Sequence, residues 1–476
     1  MCTPSRRLLS STFKLASSAG AIAAVLALAG TAWSGEHPKP GPDEVFTLNT
    51  VIQVPGSSAA NPFFSFDISW FDPVRNKYFL ADRNNKAIDV IKPANNSIEQ
   101  FVNPGFAGVL PSPAAPNNDI SGPDGVLTVD HKELWIGDSP GKVWVLNAKN
   151  GDNLLGAGKF ISVGGTTRAD ELCFDPNNHV IMIASPAEES PPGTPAPFVT
   201  FISTTTRKVL SRLIFNGSIG PQGSAPGWPV NGAGINAIGG LEQCGWSPLT
   251  GKFYQNVPVK DPGPGGTIAV INPKTMLVET DLPVPNADCN LPQGMAIGPN
   301  HQIMEGCAGP SPATGSPPTV HRNTVLMSDT GDVLATYPDL GGADEVWFNE
   351  GDGHYFVPNC NQACRVGTGP ELLGVIDSSN LMMDQTVVIG GPIPAGTARR
   401  IHSVAADSHT NKVYLPIPAN TGTDATHPGV KVCDDTTVIR IGDPSSSIGC
   451  IAVYTTKHDD HKTTTARERG DDDRQE

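Results

Sequence analysis

The stretch Gly122–Asn147, GPDGVLTVDHKELWIGDSPGKVWVLN, decides how the rest of the chain is read. It sets a polar residue before an apolar run that ends in Asp, then a turn, then a further apolar strand. The same pattern is clear at Asp67–Asp72 (DISWFD), Asp170–Asp175 (DELCFD), Asp344–Asn349 (DEVWFN) and His402–Asp407 (HSVAAD). Weaker copies stand at Glu242–Ser247 and Gln293–Gly298. Strand-type alternation repeating about every 50 residues is the signature of a β-propeller, in which each repeat is one small sheet that cannot bury its faces alone. With Asp124–Asp130 the copies number seven, which predicts an all-β, seven-bladed β-propeller; because the fifth copy is faint, six blades is the alternative.

Within the first copy, apolar alternation and turn residues mark four strands at Asp67–Phe71, Tyr78–Ala81, Ala87–Ile91 and Ile98–Val102. The last copy has only three, near His402–Ala406, Lys412–Pro416 and Cys450–Thr455. The strand-like segment Val45–Val54 (VFTLNTVIQV) is expected to supply the fourth, closing the ring and removing a free sheet edge.

The ends read differently. Arg6, Arg7 and Lys14 precede an Ala-rich apolar run, Ala19–Gly30, and the small-x-small site Ala32-Trp33-Ser34, so residues 1–34 are read as a signal peptide and the destination as periplasmic or secreted. The run is too short to span a bilayer, and Arg6-Arg7 also fits a twin-arginine signal. Residues 35–456 are read as a single propeller domain, and the charged, repeat-free residues 457–476 as a disordered tail. Without the leader the chain carries 29 Lys and Arg against 47 Asp and Glu, a net charge of −18, which disfavours nucleic acid and anionic membranes as partners. Eight cysteines then remain, and in an oxidising compartment disulfides are expected. Proximity in the repeat suggests Cys433–Cys450, Cys360–Cys364 and Cys289–Cys307, with Cys173–Cys244 as the fourth.

Long Pro- and Gly-rich insertions fall between second and third strands, at Ser185–Pro197, Val257–Thr267, Gly309–Asn323, Asn359–Pro370 and Ala419–Gly449. They crowd the face on which each innermost strand begins, and there the repeat puts Asp67, Asp124, Asp170, Glu171, Glu242, Gln243, Gln293, Asp344, Glu345 and His402. Converging carboxylates repel one another and need a cation, protons or water; oxygen ligands favour calcium or magnesium. Arg168, Arg399 and Arg400 stand nearby and offer salt bridges instead. His402 is the one histidine at a channel-facing position and is a candidate general acid or base, with Glu345 as the alternative proton carrier. Trp70, Trp135, Trp246 and Trp347 fall inside strands and read as packing between blades. No covalent-haem motif, His-Glu-x-x-His, nucleophile elbow or phosphate loop occurs.

The second repeat resembles an NHL or gluconolactonase-type propeller strand set, and the chain resembles the broad YVTN, NHL and SMP-30/gluconolactonase group, as a repeat pattern over nearly all of residues 35–456. Gluconolactonase-like enzymes hold a divalent metal at the channel mouth with a Glu, two Asn and an Asp. The resemblance makes Asp67, Glu171, Glu242 and Asp344 the counterparts, although none of them is Asn and the first is not Glu. It implies metal-assisted hydrolysis of a lactone or ester, with His402 or Glu345 moving a proton. The alternative is a non-catalytic propeller of the cell envelope that binds a protein or glycan.

Overall fold

The computed structural model describes residues 45–456 except 59, 226, 264, 286, 309–322, 361–370, 391–400, 420–431 and 435–447. The leader, the tail, Arg399, Arg400 and Cys364 therefore lie outside the described residues, as does the side chain of Cys360.

The recurring hexapeptide has a local cause at each end. Its last residue caps the turn that follows: Asp72 accepts from the Arg75 amide at 2.9 Å, Asp175 from Asn177 at 2.8 Å and Asp407 from His409 at 2.9 Å, with Ser247 and Asn349 in the same role. Every one of these hairpin turns also contains a left-handed residue: Asn76, His131, His179, Gly251, His301, Gly353 and Asn411. The primed turns that match strand twist require such a conformation. The first residue of the motif is fixed from the other side. The amides of Asp67, Asp124, Asp170 and Glu242 donate to the carbonyls of Ala81, Gly137, Ala184 and Asn256 near the ends of the second strands. These four acids therefore stand at equivalent heights.

Seven antiparallel sheets follow in chain order, the seven blades. Blade 1 has strands Ser69–Asp72, Lys77–Asp82, Ala87–Lys92 and Ser97–Phe101. Blades 2 to 6 begin at Val126, Leu172, Cys244, Pro292 and Trp347. The faint fifth copy is a complete four-stranded sheet, Pro292–Ile297 to Val333–Tyr337. Blade 7 is built from Ala405–Ala406, Val413–Ile417 and Cys450–Thr456, and Phe46–Ile52 pairs antiparallel with Cys450–Thr456 as its outer strand. Ring closure by the N-terminal strand is thus as the sequence suggested. Two blades depart from four regular strands. The outer strand of blade 2 is only Ile161–Ser162, and blade 3 is extended by a hairpin, Ile219–Ala225 with Trp228–Ala233, whose second arm lies parallel to Lys208–Ile214.

Apolar clusters lie between adjacent blades. Phe79 and Val90 of blade 1 pack with Ile136 and Trp144 of blade 2, and Trp135 is fully buried with Ile181 and Ile183 of blade 3. Disulfides join Cys173 to Cys244, Cys289 to Cys307 and Cys433 to Cys450, so three of the four expected pairs are present and the fourth lies outside the described residues. Among the described residues no helix is long and apolar enough to cross a membrane.

The closing strand is clasped by blade 6. Gln385 exchanges two hydrogen bonds with the Phe46 backbone, and the Phe46 ring packs edge-on against His354. His354 is buried with Asp352 and Asp384 on either side. Burial pulls its imidazolium down, but the two carboxylates outweigh burial and raise it. A raised histidine stabilises fully below its unfolded value near 6.5 and loses that contribution as pH rises through the folded value. His354→Asn is therefore expected to cost about 2 kcal/mol at pH 6 and clearly less at pH 9, read by urea denaturation. An equal cost at both values would mean that the charge of His354 contributes nothing.

Candidate functional site at the channel mouth

Because the acids at the strand starts share one height, they meet around the axis and are buried together. Asp124, Asp170, Glu171 and Glu345 are each less than 10% exposed, and the Asp67 side chain is 15% exposed. Gly125 occupies the position that Glu171 and Glu345 hold in their own repeats. A Cβ there would lie 2.1 Å from the Asp170 carbonyl oxygen, so glycine is what lets blade 3 close in on Asp124.

Two arginines enter this cluster. Arg83, 2% exposed, follows the second strand of blade 1. Its Nε donates to Asp124 Oδ1 at 2.9 Å, and its Nη2 reaches both Asp124 Oδ1 and Asp67 Oδ2. Arg168 Nε lies 2.7 Å from Asp170 Oδ2, the ion pair expected there. Burial works against both guanidiniums, yet the surrounding carboxylates hold them protonated, with Asp67 foremost at Arg83 and Asp170 foremost at Arg168. Sequence reasoning missed Arg83. Its one signal is that the equivalent positions after the second strands of blades 2 and 3 carry Ser139 and Pro186.

Among the described residues the charges do not balance. Seven carboxylates, Asp67, Asp124, Asp170, Glu171, Glu242, Asp344 and Glu345, face one another through the field of two guanidiniums. Burial, opposed by Arg83, pushes Asp67 up to about 7. Burial and the Asp344 charge push Glu242 up to about 8. Asp124, Glu171 and Glu345 are raised well above the carboxylate range, again mainly by burial.

Among the described residues, two groups bring three ligand atoms within 4.8 Å of one another: Asp67, Asp124 and Asp170, and Asp67, Glu345 and His402. In the first, Arg83 already stands between Asp67 and Asp124 and supplies the positive charge. The second is different. Asp67 turns Oδ2 to Arg83, while Oδ1 lies 3.9 Å from His402 Nε2. The His402 ring is stacked flat on Phe66, with its Nε2 3.2 Å from the Phe66 carbonyl oxygen. Glu345 Oε2 accepts from the Ser403 hydroxyl at 2.5 Å, and Ser403 continues through Ser69 to the Tyr78 hydroxyl in steps of 2.8 Å.

No known family model matches the chain, and no curated protein is similar to it.

The residues expected at a metal are therefore divided. Asp67 belongs to both close groups, but Glu171, Glu242 and Asp344 belong to neither. Glu242 Oε1 instead accepts from Gln293 Nε2 at 3.2 Å. Glu345 and His402, expected as proton carriers, sit where ligands would be. The face is also furnished by the insertions: Glu188, from the connection between Ser185 and Phe198, accepts from the Thr166 and Thr167 amides at 2.7 and 2.6 Å. The aromatic reading holds: Trp135 is buried between blades, and Trp70 and Trp246 pack against the clusters between their blades while their half-buried faces also line a cavity.

Proposed function

We propose that this is an exported propeller whose channel mouth binds a divalent cation through Asp67, Glu345 and His402 and there takes a small, oxygen-rich ligand, with hydrolysis of a lactone or ester as its reaction. The observation that carries this reading is Asp67 Oδ1 facing His402 and Glu345, together with the surplus of buried carboxylates over arginines among the described residues. Two carboxylates and an imidazole fit such an ion, and the imidazole suits manganese or zinc better than the calcium that carboxylates alone suggest. When bound, the ion would polarise a carbonyl. The chain's own residues do the rest. Phe66 and Ser403 fix the orientation of His402 and Glu345. Glu242, pushed up to about 8 by burial and the Asp344 charge, holds a proton at neutral pH while the site is free of the ion. The three disulfides accord with export to an oxidising compartment, and the resemblance to gluconolactonase-like propellers supports the reaction class.

The buried ion pairs of Arg83 and Arg168 favour a second reading, a non-catalytic propeller that binds an envelope protein or glycan. Metal content decides between them. The purified protein is expected to carry close to one manganese or zinc per chain by elemental analysis. His402→Ala with Glu345→Gln should lose it, together with turnover in a screen of lactones and aryl esters. Metal-free protein whose melting temperature no divalent ion raises would sink the metalloenzyme and leave the scaffold.

A further inference from the structure

The innermost strands that begin at the acidic mouth end in a quite different place. Asp124 and Asp130 flank the strand Val126–Val129, and six residues of extended chain separate them by about 20 Å. Around Asp130 lies a cavity of about 510 Å³, large enough for a small organic molecule. Its walls come from the innermost strands of blades 1 to 4: Trp70, Leu127, Leu172, Phe174 and Trp246, with the Cys173–Cys244 disulfide between blades 3 and 4. Trp70 is held by its indole N–H, which donates to Thr128 Oγ1 at 3.0 Å, and by an edge-on contact with Trp347. The rim carries the exposed carboxylate of Asp130, and among the described residues no lysine or arginine lines the cavity. His131, also on the rim, turns Nδ1 to Asp72 Oδ1 at 2.9 Å.

We propose that this cavity is a second binding site, for a small amphiphilic organic cation whose aromatic or aliphatic body sits between Trp70 and Trp246. Apolar walls bind the body, indole faces attract a quaternary or protonated amine, and the Asp130 carboxylate on the rim complements its charge. An anionic ligand of the same shape meets the same walls and an opposing rim. Selectivity for charge is therefore the property that separates this site from a merely greasy hole.

The test uses the full chain and three probes with one ring system: naphthylmethyl-trimethylammonium, naphthalene-2-sulfonate and naphthalene-2-methanol, titrated by calorimetry. The ammonium is expected to bind about ten times more tightly than the sulfonate, with the alcohol between. Asp130→Asn, on the surface, should bring the three closer to one another, within about threefold, while leaving the melt unchanged. Leu172→Trp, which fills the cavity, should abolish binding of all three. No ammonium binding below about 1 mM, or sulfonate binding as tight as ammonium, would overturn the proposal.

Discussion

Arg83→Met is expected to cost about 3–5 kcal/mol at pH 7.5, the largest loss from any single substitution in the channel. The guanidinium is 2% exposed and touches both Asp67 and Asp124, so its removal leaves two buried carboxylates facing each other without their counter-ion. The loss should shrink toward pH 5, because Asp67 and Asp124 can then take up protons and become neutral. Arg83→Lys keeps the charge but not the fork that reaches two acids, and should recover only part of the stability. Combining Arg83→Met with Asp67→Asn and Asp124→Asn should recover most of it, since the charge and its partners leave together. Guanidinium denaturation at pH 7.5 and 5 reads all four proteins. A loss below about 1 kcal/mol for Arg83→Met would mean that the acids are already neutral and that the ion pair is ornamental.

The second large effect is on the pH profile of the metal-free protein. The folded values of Asp67 and Glu242, about 7 and about 8, stand above ordinary values of 3.8 and 4.5. Raised carboxyls take up protons on folding, so their contribution is complete below about pH 4 and is lost as pH climbs through 7 and 8. In chelator, the urea midpoint should therefore fall between pH 5 and pH 9. The fall should be worth several kcal/mol, because each tenfold gain in proton affinity on folding contributes about 1.4 kcal/mol. A divalent cation competes with those protons and should raise the midpoint at pH 8 far more than at pH 5. A flat profile in chelator would show that the carboxylates ionise freely, and with it the surplus charge would cease to argue for a cation.

The fold was legible because a propeller states its rule seven times. Asp72, Asp175 and Asp407 cap the same turn, and the sequence prints them at the same place in each repeat. The strand starts that carry Asp67, Glu345 and His402 were legible for the same reason. What escaped was whatever occurs once. Arg83 stands after a second strand, where Ser139 and Pro186 stand in the next two blades, and periodicity says nothing about a position that does not repeat. The hairpin Ile219–Ala233 was invisible on the same ground, since it is an addition to one blade. Choosing ligands by family counterpart named Glu171, Glu242 and Asp344, but side-chain reach grouped Asp67 with Glu345 and His402 instead. The indoles of Trp70 and Trp246 do pack between blades as read, but the cavity beside them was not legible, because a strand residue at the end of a channel can face a void and a neighbouring blade at once.

Closure by the first strand also sets an order of events. Thr47 and Thr455 pair across 408 residues of chain, so the last blade is unfinished until its opposite ends meet. Contacts this distant form late and slowly. Six blades can assemble as the chain emerges, while Phe46–Ile52, made at the very beginning, waits for Cys450–Thr456, the last strand to arrive. A chain delivered unfolded through a membrane must therefore keep its leading strand unpaired until the tail has arrived, and the fidelity of the whole ring rests on that one delayed meeting.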